Sequence, residues 1–446
     1  MGNETIAAPA TPSGAGAIAI VRLSGPAALS IARQITGRRL RARHAELCTF
    51  RAADASEIDQ GLALYFPAPG SYTGEDVVEL HCHGSPIVVD WLLETMHGLG
   101  ARPAQPGEFT LRAFLNDKLD LAQAEAIADL IDSGSRVAAR AALRSLSGDF
   151  SRRVCALQTS LTQLRVLSEA WLDFPDEEID RGAQAELATR ATDLEARMAE
   201  LREEAARGAV LHDGFSIAIA GAPNAGKSSL LNRLAGYDAA IVTALPGTTR
   251  DTIRERVLLD GLVLDVVDTA GLRATTDPIE VEGVRRAERE VQVADHVLWV
   301  ADIGAGLTAA LAGARRTLPK ATTFTIALNK VDLRDSVAKG YLADGIAVLE
   351  ISALTGAGFA ELREHLQTLA GSPQRGAGTF SARRRHLDAL ARAAEHISRA
   401  RAETATRLEI AAEELRAAQA ALGELTGELT SDDLLGEIFA SFCIGK

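Results

Sequence analysis

Phe215-Ser-Ile-Ala-Ile-Ala-Gly221-Ala-Pro-Asn-Ala-Gly226-Lys227-Ser228-Ser229-Leu-Leu-Asn-Arg-Leu234 decides how the middle of this chain folds. Residues 215–220 form an apolar run short enough for a buried strand, and residues 229–234 have helical character. The Gly-x4-Gly-Lys-Ser between them has the spacing of a loop that wraps phosphate groups. Its glycines let backbone amides turn inward, and the N-terminus of the following helix adds partial positive charge. Lys227 is placed to reach the β- and γ-phosphates of a nucleoside triphosphate, and the Ser228 hydroxyl to bind Mg²⁺. The expected contacts from this loop are Asn224, Ala225, Gly226, Lys227, Ser228 and Ser229.

Further segments follow in order. Thr243-Ala244-Leu245-Pro246-Gly247-Thr248-Thr249-Arg250-Asp251 reads as a switch that orders around the γ-phosphate, with the Thr249 hydroxyl as the second protein ligand to Mg²⁺. Asp268-Thr269-Ala270-Gly271 ends the apolar run 262–267. An acid there holds Mg²⁺ through water, and the Gly amide touches the γ-phosphate. Asn329-Lys330-Val331-Asp332 ends another apolar run. Guanine presents adjacent N–H donors on N1 and N2, and the Asp332 carboxylate accepts both, which selects guanine over adenine. Ser352-Ala353-Leu354 offers a backbone amide to the guanine oxygen. Any one of these segments alone is a common loop. The ordered set points to a guanine nucleotide.

Many GTPases place Gln directly after Asp-Thr-Ala-Gly to orient the attacking water. Leu272 stands there, so another group is required, and Asp277, Glu280 and Glu282 are the acidic candidates. Asn224 is read in two ways. Its amide oxygen binds a monovalent cation beside the phosphates and so takes the electrostatic role of an arginine finger, or the residue stabilises a turn.

Apolar runs, 215–220, 262–267, 296–300 and 324–328 among them, alternate with helical patterns from residue 215 to about 369, which predicts a mostly parallel sheet with flanking helices. Residues 120–213 and 371–446 are rich in Ala, Leu, Arg and Glu at helical spacing, and residues 371–378 read as a linker. The two helical stretches are expected to form one discontinuous domain with the α/β unit inserted. Residues 1–119 carry short apolar runs, 17–23 and 77–81 among them, broken by Gly, Pro and Ser, which predicts a small α+β domain. The domain boundaries are therefore 1–119, 120–213, 214–370 and 371–446.

Net charge is −13, so attraction to nucleic acid must be local rather than spread over the surface. The four cysteines are scattered and fit a reducing, cytoplasmic compartment. No signal peptide, myristoylation site or membrane span is read. Only six of the 47 basic residues are lysines, and four of those, Lys118, Lys227, Lys330 and Lys446, fall in motifs. His81-Cys82-His83 raises a metal site, though no further ligands are evident for zinc. Cys443 reads as a catalytic thiol or a plain buried cysteine. The runs Arg38-Arg39-Leu40-Arg41-Ala42-Arg43 and Arg383-Arg384-Arg385 touch RNA or are solvated arginines.

Thr5-Ile-Ala-Ala-Pro-Ala-Thr-Pro12, Tyr72-Thr-Gly-Glu-Asp76, Glu79-Leu-His-Cys-His-Gly84, Gly107-Glu-Phe109, Ala113-Phe-Leu-Asn-Asp-Lys118, Leu121-Ala-Gln-Ala-Glu-Ala126, the nucleotide motifs and Phe442-Cys-Ile-Gly-Lys446 together resemble the MnmE (TrmE) family of bacterial tRNA-modification GTPases. In the C-terminal helical region the likeness is one of composition. The resemblance implies an N-terminal folate-binding domain that also forms the homodimer, and a Ras-like domain inserted in the helical one. It implies a flavoprotein partner, MnmG, which carries FAD. Together they add an aminomethyl-type or carboxymethylaminomethyl group at C5 of the wobble uridine of certain tRNAs. The carbon unit comes from a tetrahydrofolate derivative, 5-formyl- or methylene-tetrahydrofolate. GTP hydrolysis would need Mg²⁺ and K⁺ and the juxtaposition of two G domains. Carried over by residue, the resemblance gives a K⁺ shell of Asn224, Thr243, the Leu245 carbonyl and Thr248. It gives Glu280 as the acid that orients water, with Asn224 and Lys227 as its catalytic partners. It places folate contacts at Arg22, Glu79, Lys118 and Lys446.

Two other functions compete. A regulatory switch that binds ribosomal RNA or a membrane predicts a basic domain or an amphipathic anchor, and neither is read. A folate-dependent one-carbon transferase would use GTP only for allostery. Loss of the wobble modification on deletion separates the leading reading from both.

Overall fold

The computed structural model describes residues 4–173, 181–213, 215–237, 254–259, 262–268, 291–292, 294–320, 322–334, 340–369, 380–403, 407–428, 432–440, 442 and 445. The chain forms two compact units. One comprises Met1–Ala128, Leu146–Glu195 and Arg392–Lys446, and the other Asp129–Ser145 and Ala196–Ala391.

The first unit opens with β1 (Ile6–Pro9), β2 (Ile18–Ser24), α1 (Ala28–Thr36), β3 (Glu46–Arg51), β4 (Glu57–Phe66), β5 (Val77–His83), α2 (Pro86–Gly98), β6 (Arg102–Pro103) and α3 (Glu108–Leu115). The six strands form one sheet in the order β3-β4-β5-β2-β1-β6. Every neighbouring pair is antiparallel except β1 and β6. Alternation sets its two faces. Val21 and Leu23 on β2 and Val78 and Leu80 on β5 share a core with Ile31 and Ile35 of α1 and Leu92 and Met96 of α2. Arg22 and Glu79 therefore fall on the face away from that core. Helix α1 stops at Gly37, whose φ of 64° suits a residue without a side chain. Four helices follow in the chain, α4 (Leu121–Asp132), α5 (Arg136–Leu146), α6 (Asp149–Asp173) and α7 (Arg181–Asp213), of which α6 lies in the first unit, α5 almost wholly in the second, and α4 and α7 are divided between the two.

The second unit holds β7 (Phe215–Gly221), α8 (Lys227–Tyr237), β8 (Arg254–Leu259), β9 (Leu262–Asp268), β10 (His296–Asp302), α9 (Leu307–Thr317), β11 (Phe324–Asn329), β12 (Gly340–Ala343), β13 (Ile346–Glu350) and α10 (Phe359–Leu369). The sheet order is β12-β13-β11-β10-β7-β9-β8. The five inner strands run parallel, and β12 and β8 are antiparallel edges. Parallel strands must be covered on both faces, hence their continuous apolar runs. Ile217, Ile219, Leu298 and Val300 pack with Leu230, Phe359 and Leu362 on one face. Their alternates Ala218, Ala220, Val297 and Trp299 pack with Ala310 and Ala314 on the other. Helix α8 begins at Lys227, two residues before the expected start, because the Leu230 amide bonds the Gly226 carbonyl at 2.9 Å and closes a first turn inside the loop.

The chain ends with α11 (Arg384–Glu403), α12 (Leu408–Thr426) and α13 (Asp432–Ala440). Within the first unit α12 lies along α6, where Arg165 Nη1 donates to Gln419 Oε1 at 2.6 Å. Within the second, buried Asp129 accepts from Ser381 Oγ at 2.6 Å and from Arg383 Nη2 at 2.6 Å. Residues 174–180, residue 214 and the expected linker 371–378 lie outside the described residues.

Candidate functional site

The C-terminal ends of β7, β10, β11 and β13 carry the loops where an open α/β sheet binds ligands. At β7 the backbone of Gly221 lies against β10, so close that a Cβ would meet the Val300 carbonyl oxygen at 2.0 Å. Asn224 has φ 61° and Gly226 φ 93°. Asn tolerates the left-handed region better than most side chains. Lys227 Nζ donates to the Gly221 and Ala222 carbonyls at 3.2 and 3.1 Å, which stands it across its own loop. Ser228 is on the first turn of α8, where amides and helix dipole favour an anion.

Asn329 joins this loop to the next. It is buried, and its Nδ2 donates to the Ala225 carbonyl at 2.8 Å. Its Oδ1 accepts from the Ala353 amide at 2.9 Å. A Cβ on Gly226 would lie 2.3 Å from Asn329 Nδ2. Lys330 follows with φ 70°, and its Nζ pairs with Asp302 Oδ2 at 2.8 Å. The hydrogen bond from Lys330 holds the Asp302 carboxyl below its usual range. Asp332 sits in the short 3-10 turn Val331–Leu333 and accepts a hydrogen bond from Ser352 Oγ. Ser352 Oγ in turn accepts from the Thr355 amide at 3.1 Å. The phosphate loop, Asn329, Asp332 and the 352–354 turn thus form one bonded cluster.

Asp268 ends β9, which places its backbone beside Ile219 of β7. Thr243, Ala244, Leu245, Pro246, Gly247, Thr248, Thr249, Thr269, Ala270, Gly271 and Glu280 lie outside the described residues.

A second cluster belongs to the first unit. Arg22 and Glu79 are cross-strand partners on β2 and β5, and Arg22 Nε donates to Glu79 Oε1 at 2.9 Å. The Arg22 guanidinium lies 5.5 Å from the Tyr72 ring centroid and 5.6 Å from that of Phe109. It also reaches the Gly445 carbonyl at 3.4 Å. Thr73 and Glu75 are held by Ser24, which fixes the loop carrying Tyr72. Lys118 Nζ donates to the Pro69 carbonyl at 3.0 Å. Lys446 and Cys443 lie outside the described residues.

The description "MnmE helical domain" matches residues 121–443, and "GTP-binding protein TrmE N-terminus" matches residues 5–118. The chain belongs to the MnmE family. It is 52% identical to a protein of Nitrosococcus oceani over all of this chain and 97% of that one. It is 52% identical to one of Alkalilimnicola ehrlichii over the whole of both chains, and 51% identical to one of Pseudomonas aeruginosa over 100% and 99%. Each of these relatives is named tRNA modification GTPase MnmE. A solved G domain of the T. maritima FeoB iron transporter overlaps 35% of this chain and 98% of its own, with 26% identity and a TM-score of 0.27.

Among the described residues no group of three or more His, Cys, Asp and Glu is placed to hold a metal ion. His83 Nδ1 instead pairs with Asp59 Oδ1 at 2.8 Å, and burial pushes the Cys82 thiol up to about 11. Arg383 is bonded to Asp129 within its own unit. No helix among the described residues is long and apolar enough to cross a membrane. Motif reading did not reach Tyr72 and Phe109 as ring partners of Arg22. They stood inside quoted motifs, but nothing local says which side chain a ring will face.

Proposed function

We propose that this protein is a GTP hydrolase that acts in the modification of tRNA. With a flavoprotein partner of the MnmG type, which carries FAD, it adds an aminomethyl or carboxymethylaminomethyl group at C5 of the wobble uridine. A tetrahydrofolate derivative supplies the carbon unit. Residues 1–119 bind folate and form a homodimer. Residues 120–213 and 371–446 make the helical domain, and residues 214–370 the inserted G domain. The observation that carries the reading is Asn329, which ties the phosphate loop to the base-reading turn through Ala225 and Ala353.

Lys227 sets positive charge over the β- and γ-phosphates, and the amides of the turning loop surround them. Ser228 and Thr249 hold Mg²⁺. Asn224, Thr243, the Leu245 carbonyl and Thr248 hold K⁺. When bound, the two cations neutralise charge on the phosphate oxygens. Glu280 orients water, the task for which Leu272 has no suitable group. Asp332, steadied by Ser352, accepts the N1 and N2 protons of guanine. Arg22, Glu79, Lys118 and Lys446 bind the folate. The fit of the loop to a phosphate rests on the positive φ of Asn224 and Gly226 and on the start of α8 at Lys227.

Asp332→Asn tests the base assignment. The amide offers guanine N–H groups a donor where the carboxylate offered an acceptor, so GTP affinity falls by roughly 100-fold and xanthosine triphosphate binds better than GTP. Competition titration against a fluorescent guanine nucleotide reads both. Unchanged GTP selectivity would remove Asp332 from the site.

A further inference from the structure

The base-reading turn is held by a side chain that no nucleotide motif contains. Arg233 stands on α8, within the helix that opens under the phosphates. Its Nε donates to the Ala353 carbonyl at 2.6 Å, and its Nη2 donates to the Leu354 carbonyl. Its guanidinium carbon lies 5.6 Å from the ring centroid of Phe359, which is buried at the start of α10. Ala353 is buried in the core with Ile351 and Phe359, whereas Leu354 is 77% exposed, so packing fixes one end of the 353–354 peptide and leaves the other. Polar ties hold the peptide groups themselves. The Ala353 amide is held by Asn329, and the Ala353 and Leu354 carbonyls by Arg233.

A peptide unit is planar and trans, so its N–H points away from its own C=O. A guanidinium that grips the Ala353 carbonyl therefore sets the direction of the Leu354 N–H on the same peptide. The planar fork of Arg presents N–H groups on separate atoms to the two carbonyls and so fixes their directions, whereas the donors of an ammonium rotate about one atom. We propose that Arg233 is a positioning residue for guanine: it aims the amide of the 353–354 peptide at the base oxygen and couples the phosphate helix to base recognition. The inference rests on the GTP-binding reading above and deepens it.

This coupling differs from that of Asp332. Asp332 reads the N1 and N2 protons, whereas the turn reads the O6 oxygen. Inosine nucleotides keep O6 and lack the N2 amino group. Loss of Arg233 therefore weakens GTP and inosine triphosphate by the same factor. Loss of Asp332 weakens GTP more.

The test uses the full chain with Arg233→Met, which keeps the stem over Phe359 and removes every donor, and Arg233→Lys, which offers one point charge. Dissociation constants for GTP, GDP and inosine triphosphate are measured by titration, alongside kcat and KM for GTP. The Met variant is expected to bind all three about tenfold more weakly, a loss typical of charge-assisted hydrogen bonds. The loss appears in KM, while kcat at saturation holds, and the Lys variant falls between Met and wild type. If the Met variant does not fold, the Lys variant carries the test with an expected loss of roughly threefold. Wild-type affinity in a folded variant overturns the proposal, as does a loss confined to GTP or to kcat. A wild-type chain that binds no guanine nucleotide sinks the GTP reading itself, and the inference with it. Tight wild-type binding with an indifferent Arg233 sinks the inference alone.

Discussion

Asn329 uses its one amide twice, and both partners are buried peptide groups. Truncation to Ala leaves the Ala225 carbonyl and the Ala353 amide without it. Unpaired buried polar groups cost about 1–3 kcal/mol each. Asn329→Ala is therefore expected to lower guanine-nucleotide affinity by at least about tenfold and to lower the thermal midpoint, both readable by titration and calorimetry. Affinity within twofold of wild type would mean that the two loops are tied by something else. This residue was legible because Asn-Lys-x-Asp places it at a strand end. The lysines were legible by their rarity, since Arg supplies nearly all the positive charge. Arg233 was illegible for the converse reason: in an Arg-rich chain one more Arg on a helix carries no signal. Only its reach to two carbonyls sets it apart.

Among elements, the parallel strands were the readable ones. The apolar runs expected at 215–220, 262–267, 296–300 and 324–328 are β7, β9, β10 and β11, each longer at its C-terminal end by one or two residues. Those added residues include Gly221, Asp268, Asp302 and Asn329, so the strands run up to the site. The edge strands β8 and β12 were not read. A short edge strand gives no sustained pattern to announce it, as the four residues Gly340-Tyr-Leu-Ala343, the first three of them exposed, illustrate.

Burial also builds a titrating device between elements. His296 on β10 shares a hydrogen bond with Thr325 of β11 at 2.9 Å, and Thr325 meets His365 of α10 at 2.8 Å. Burial, with His365 nearby, lowers His296 to about 4 from 6.5. The unfolded chain then binds a proton that the folded unit refuses between pH 6.5 and 4, so stability falls as pH drops through that window. The loss is on the order of 3 kcal/mol by pH 4, where it levels off. Urea midpoints of the full chain at pH 7, 5.5 and 4.5 measure it, with His296→Gln expected to flatten the slope. A wild-type slope in that variant would assign the pH dependence to other groups.

At the scale of the whole molecule, the family fixes the architecture more firmly than periodicity did. Composition announced helical flanks around an α/β segment, and the family descriptions span both the N-terminal region and the helical one. Composition did not reveal the mixed order of the N-terminal sheet, in which β1 pairs forward with β2 and again with the distant β6. Such pairings depend on which segments meet after collapse, and a local pattern holds no record of them. Net charge of −13 confines any tRNA contact to local basic surface. Deletion of the gene should abolish the wobble-uridine modification, and retention would leave a GTPase with some other client.

The most direct test of the account is steady-state GTP hydrolysis with Mg²⁺ in matched KCl and NaCl, for the wild-type chain and Asn224→Ala. In the proposed mechanism a cation beside the phosphates takes the place of an arginine finger, whose absence costs hydrolysis on the order of 10³-fold or more. The account therefore expects strong activation by K⁺ alone and its loss in the variant. Equal rates in both salts would reduce Asn224 to the turn residue that its φ of 61° also fits, and would contradict a cation-driven mechanism.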